Sequence, residues 1–374
     1  MELCVFLRGS VWDYTLFWGE IFMIQTRKRT VYLDFVRIIA IYMVLFTHTG
    51  INGFVLFTVR RNSFFYPYYL FNAILIKPAV PLFFMVSGAL LLGKEESYSK
   101  IIKRFFRFLC VLLVASIVNY VFYYAKQSSF SLKEFLCMVY TKPVSIALWY
   151  MYAYLAYILM LPFLRCLAKN MDTGAFFWLF FMCAIMSLFP IIEFIICQGK
   201  YQHDSRFSFF VNVNYCLYPL MGYFIEHRLR TSDFNNKRLI TLVTASVVSI
   251  SICAILTHWK CTIMGEWKES TCQTFFNSLI FIPSGTLFFG AKMLFEKHTP
   301  NDRICHLIST VGSATFGLYL IEAICRSLTE KIFVFFDSFL PALLACWIWI
   351  FIACALGITI TLLLKKIRFI SKYI

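Results

Sequence analysis

Long apolar runs, broken by short polar and basic connections, recur from one end of the 374-residue chain to the other. A helix of about twenty apolar residues, rising ~1.5 Å per residue, crosses the ~30 Å hydrocarbon layer of a bilayer. Ten such runs are predicted, near residues 31–50, 73–92, 105–124, 146–164, 175–197, 208–225, 239–257, 274–294, 307–325 and 340–364. The connections between them leave no room for a sizeable soluble domain. The predicted fold is therefore all-α, a polytopic transmembrane helical bundle. Residues 130–139 (FSLKEFLCMV) read as a short amphipathic element lying on the outer surface. Residues 1–26 stand apart as an N-terminal extension, aromatic and carrying Asp13 and Glu20, without a signal peptide's basic start or small-residue cleavage site. Met23 opens a basic lead-in to the first run, so residues 1–22 read as an over-long start in preference to an interfacial helix. Residues 27–374 read as one membrane domain.

Composition agrees with the pattern. Hydrophobic residues make up 60% of the chain and charged residues 14%, against roughly 25% charged in a soluble domain. The net charge of +16 would suit a nucleic-acid partner, but its distribution argues otherwise. Lys and Arg favour the two termini and the even-numbered connections by about two to one, as in Arg27–Arg29, Lys100–Arg107, Arg228–Arg238 and Lys365–Arg368. That alternation is the positive-inside pattern, with both termini cytoplasmic. It places the connection at 198–207 outside and that at 227–238 inside, in a multi-pass protein of the cell (plasma or inner) membrane. The partners expected from it are membrane lipid and no nucleic acid.

The fourteen cysteines are not read as a disulfide framework, because most fall inside predicted spans, as Cys110, Cys183, Cys253 and Cys346 do. Cys261 and Cys272 share one outer connection, where both a paired and an unpaired state are open. No C-x-x-C pair and no His/Cys cluster at ligand spacing occurs, so no metal site is predicted.

Ionisable residues inside the apolar runs carry the functional signal, since each costs several kcal/mol in hydrocarbon and tends to face a site or pathway. The first run holds Asp34, Arg37 and His48. On a helix Arg37 and His48 lie ~16 Å apart in depth and near the same face, with Arg37 in the cytoplasmic half and His48 near the outer end. Asp34 and Arg37 are also spaced to pair with each other at i,i+3, which leaves His48 unexplained. Arg104 and Arg107 share a helical face at the inner end of the third run, where guanidinium forks suit phosphate oxygens and equally suit anionic lipid heads. Pro81 to Gly88 (PLFFMVSG) combines a kink with a Ser/Gly pair that permits close helix packing. Leu148-Trp149-Tyr150 reads by default as an aromatic belt. In the ninth run, Tyr319 and Glu322 lie one turn apart, Glu322 marking a site or the partner of a buried arginine.

In this order and spacing, Asp34-x2-Arg37-x10-His48, FFMVSG, Arg104-x2-Arg107, LWYMY and TFGLYLI resemble the integral-membrane acyltransferase 3 family, which transfers acyl groups to surface sugars and lipid-linked glycans. The resemblance covers roughly residues 30 to 365. It implies an acyl-coenzyme A donor as co-substrate, most often acetyl-CoA, a glycan acceptor, and no bound cofactor. Phosphates would sit at Arg104 and Arg107, and the arm of the donor would run beside Arg37 towards His48. His48 would act as base or as acyl carrier, Arg37 and Asp34 would orient the donor or balance charge, and Tyr319 and Glu322 would be accessory. Relatives often end the ninth-run motif in His, where this chain has Glu322, so an accessory role there is the least secure carry-over. The competing class is a transporter or flippase of a lipid-linked sugar, and a purely structural scaffold comes third.

Overall fold

The computed structural model describes residues 31–374 except 125–130, 199, 203, 205–215, 269, 270, 272, 299 and 374. The extension at 1–26, Cys272 and half of the 198–207 connection lie outside the described residues. Every regular element among those described is helical. They are α1 (31–47), α2 (Leu56–Val59), α3 (Tyr66–Leu75), α4 (Ala79–Leu91), α5 (Tyr98–Tyr124), α6 (Leu132–Thr141), α7 (Trp149–Asn170), α8 (Thr173–Cys197), α9 (Tyr218–His227), α10 (Asn236–Met264), α11 (Phe281–Lys297), α12 (Asp302–Asp337) and α13 (Ala342–Leu364).

Among the described residues, seven helical stretches are long and apolar enough to cross a membrane: Tyr66–Leu91, Tyr98–Tyr123, Ile146–Asn170, Thr173–Cys197, Asn236–Met264, Asp302–Asp337 and Ala342–Leu364. The other three predicted runs appear as shorter pieces. α1 is described over residues 31–47, α9 follows the undescribed 205–215, and the eighth run is broken. Its first part, predicted as helix from 274, is a short 3-10 turn at Gln273–Phe275 followed by turns, with Leu279 at φ +57°. Helix begins only at Phe281. Non-helical backbone at this depth is tolerated where protein or a water-filled cavity surrounds it. α8 is the least buried of these seven stretches: Phe177, Trp178, Ile195 and Ile196 are all exposed, a surface suited to lipid.

The bundle is built from close pairs, α12 along α13, α4 on α9, α10 on α11 and α5 on α7. The α4–α9 pair shows why the Ser87-Gly88 step matters. A Cβ at Gly88 would overlap the Pro219 carbonyl, and one at Gly222 the Met85 carbonyl, so two backbones touch through two glycines. Gly312 does the same for α12 against α1, where a Cβ would strike Asp34. α6 is capped by Ser131, whose hydroxyl accepts from Glu134 N, and it anchors through buried Phe135 against Tyr120. It matches the predicted short amphipathic element in place and length.

Basic residues gather where helices end. Arg228 donates to the Ala168, Lys169 and Met171 carbonyls at the C-terminus of α7. Lys292, although buried, donates to the Ile225 and Glu226 carbonyls and pairs with the Glu226 carboxylate at 3.1 Å, which also accepts from the Tyr32 hydroxyl. Cations at helix C-termini satisfy orphan carbonyls and the helix dipole together. Part of the basic excess therefore locks the bundle.

Candidate functional site

One cavity of about 930 Å³ runs among the helices, and Arg37, His48, Arg104, Arg107, Tyr150 and Tyr319 all line it. The sequence had placed these residues on four different runs. What brings them together is the packing of α1 against α12 and of α5 against α7.

His48 stands just past the last turn of α1, where the helix tightens and His48 N donates to Leu45 O at 3.2 Å. Its Nδ1 lies 3.1 Å from Glu322 Oε1, an ion-pair separation without the alignment of a full hydrogen bond. Glu322 is completely buried, and Arg326 Nε donates to its other oxygen at 2.7 Å. Arg326 also donates from Nη1 to the His48 carbonyl at 2.6 Å. One arginine thus ties the carboxylate and the histidine backbone into a single unit. A carboxylate beside Nδ1 favours the tautomer with Nδ1 protonated, which leaves the Nε2 lone pair free to take a proton. Arg326 was missed in the sequence, although its i,i+4 spacing from Glu322 was a readable signal.

Asp34 and Arg37 form the i,i+3 pair that their spacing allowed, at 2.6 Å. Pairing does not withdraw Arg37 from the cavity, which it still lines. Tyr319 donates its hydroxyl to Ala147 O at 2.6 Å, fixing the start of α7 beside the ninth-run motif.

The arginines of the third run differ from each other. Arg107 is exposed, lies over the Phe108 ring at 5.1 Å, and has no acidic partner among the described residues. Arg104 has its fork engaged by Glu96, with bonds of 2.8 and 2.9 Å, and Arg165 adds another at 2.8 Å. Glu96 is a partner the sequence reading overlooked, in the connection between α4 and α5. The Arg104 guanidinium holds its carboxyl well below the usual range, at about 2, against the opposing effect of partial burial and with help from Arg165. Because the folded value lies below the ordinary 4.5, this ion pair stabilises the fold above that pH and the contribution fades as pH falls towards 2. The thermal midpoints of native protein and Glu96→Gln are accordingly expected to differ above about pH 5 and to converge as the pH approaches 2. A constant gap down to acid pH would show that Glu96 acts through packing alone.

Comparison with curated proteins and with solved structures gave no significant match. A family model described as an acyltransferase domain, however, matches residues 30–366. Its span takes in both arginine-bearing helices, His48, Glu322 and nearly the whole described bundle. The protein thus belongs to the acyltransferase 3 family, and it is a membrane acyltransferase.

Proposed function

We propose that the protein moves an acyl group, acetyl being the best fit, from cytoplasmic acyl-CoA to a hydroxyl of a cell-surface or lipid-linked glycan. It does so from ten spans of the cell membrane with both termini in the cytoplasm. The observation that carries this reading is one cavity with arginines along one part of its wall and His48, backed by a buried carboxylate, on another. Phosphates of the donor bind Arg107, and Arg104 as it exchanges Glu96 for phosphate. The arm passes Arg37 and the thioester reaches His48. The acceptor oxygen attacks the thioester carbonyl as His48 Nε2 takes the hydroxyl proton. The C–S bond then breaks, and the CoA thiolate leaves with that proton. A route through an acyl-imidazole uses the same residue in two steps.

Inverted membrane vesicles supplied with labelled acetyl-CoA test the assignment. Label is expected in the glycan fraction when acetyl-CoA faces the cytoplasmic side. Label from the opposite side only, or none, overturns it. Sidedness can be checked separately with reporter cysteines at Asn62 and Ser232, both exposed, in a background without native cysteines. An impermeant maleimide on intact cells is expected to reach position 62 and spare 232. The donor assignment makes a further demand on Arg107. Arg107→Lys keeps the charge but loses the bidentate fork, so the apparent KM for acyl-CoA should rise by the loss of about 1.5–3 kcal/mol, with kcat nearly unchanged. An unaltered KM would return Arg107 to the role of lipid anchor.

A further inference from the structure

Besides its arginines and its histidine, the cavity wall is aliphatic and aromatic, with several hydroxyls that the reaction above does not use. Tyr150 and Tyr154 lie one turn apart on α7 and both line the cavity, as does Ser87 of α4. The Ser87 hydroxyl donates to Phe83 O at 2.9 Å, a bond within its own helix that leaves its oxygen able to accept. The phenyl bodies are fixed by their neighbours: Tyr150 lies edge-on to Phe84 at 5.1 Å and to Tyr319 at 5.7 Å, and Tyr154 lies against Phe108 at 4.8 Å. Only the polar tips remain to meet a ligand.

The order of neighbours along the wall is informative. Arg107 lies over the Phe108 ring, Phe108 packs against Tyr154 at 4.8 Å, Tyr154 against Tyr150 at 5.8 Å and Tyr150 against Tyr319 at 5.7 Å; Tyr319 stands one turn from Glu322, which pairs with His48. The hydroxyls therefore stand between the anion-binding end and the base. An acyl-CoA lying in that direction places its pantetheine arm opposite them. That arm is apolar except for a hydroxyl and two amides, and burying an amide without hydrogen-bond partners is unfavourable. An apolar wall, part aliphatic and part aromatic, with a few hydroxyls suits such a chain.

Resting on the donor reading above, we infer that Tyr150, Tyr154 and Ser87 form the subsite that holds the amides of the pantetheine arm. The phenols donate to amide carbonyls and the Ser87 oxygen accepts from an amide N–H. The LWY segment, which reads from sequence as a membrane belt, thereby acquires a binding role through its tyrosine.

Titration of the purified full-length protein with two probes separates this subsite from the arginine end. CoA carries the arm and the phosphates, whereas adenosine 3′,5′-bisphosphate carries phosphates without the arm. Tyr150→Phe, Tyr154→Phe and Ser87→Ala are each expected to weaken CoA roughly three- to ten-fold, and Tyr150→Phe with Tyr154→Phe about thirty-fold. The bisphosphate should bind all of them as it binds the native protein, while Arg107→Lys should weaken both probes. Unchanged CoA affinity in the double Phe variant overturns the subsite, as does an equal loss for both probes. A native protein that binds neither probe overturns the donor reading, and the subsite falls with it.

Discussion

Replacing His48 by alanine or glutamine should reduce acyl transfer by about 10²–10⁴-fold, down to background, while the protein stays inserted and folded. The fold is expected to survive because the bonds that hold this part of the bundle bypass the imidazole. Arg326 donates to the backbone carbonyl of residue 48, which any substitution keeps, and it goes on pairing with Glu322 when the ring is gone. Thr49, next in the chain, closes the end of α1 by itself, its hydroxyl donating to Phe46 O at 2.7 Å and accepting from Phe54 N at 2.9 Å. Glutamine is the sharper test. It fills similar space and can bond to the Glu322 carboxylate, but it has no basic nitrogen for the acceptor's proton. Turnover per folded molecule, with elution volume and thermal midpoint as controls, gives the reading. Substantial turnover in both variants at native stability would remove His48 from the chemistry.

How much of this could be read in the sequence depends on the range of each interaction. Apolar runs and the charges within them are local features, so the all-helical membrane architecture, Arg37 and His48 were accessible from spacing alone. The Asp34–Arg37 pair, the capped element at Leu132–Thr141 and the tight Ser87-Gly88 step follow from contacts within a few residues or from side-chain size. What spacing does not encode is which run meets which. His48 and Glu322 are 274 positions apart, and only the packing of the first helix against Asp302–Asp337, through Gly312, brings them to 3.1 Å. Glu96 was hidden for a different reason. A glutamate in a short polar connection looks like solvated surface until Arg104 and Arg165 are seen to converge on it. The break before Phe281 lies inside a predicted apolar run. Gln273 to Ile280 is apolar enough to pass for helix, yet it runs as turns and brings Gln273 and Asn277 to the cavity wall. Hydropathy averages cannot detect a change of backbone conformation within an apolar window.

Glu322 is where stability and turnover should part company. Its carboxylate is wholly enclosed and lies between two potential cations, so removing it leaves the half-buried Arg326 charged with one fewer partner. Glu322→Ala is therefore expected to destabilise the protein by about 3–5 kcal/mol, the usual result of breaking a buried pair by deleting one side. Loss of activity in that variant would say little about mechanism. Glu322→Gln is informative because its shape is nearly unchanged and its amide oxygen can still accept from Arg326. Its other atom is a nitrogen that donates. Turned towards His48, that nitrogen favours the tautomer in which Nδ1 accepts and Nε2 carries the proton, which disarms Nε2 as a base. The expected result is a fall in kcat of about 10²-fold or more, with the KM for acyl-CoA little altered if, as proposed, the donor's phosphates sit at the arginine end. Glu322→Asp keeps the charge but shortens the reach, and should recover part of kcat with KM again unmoved. If Glu322→Gln turns over at the native rate, the carboxylate serves only to neutralise Arg326, and His48 acts without its help.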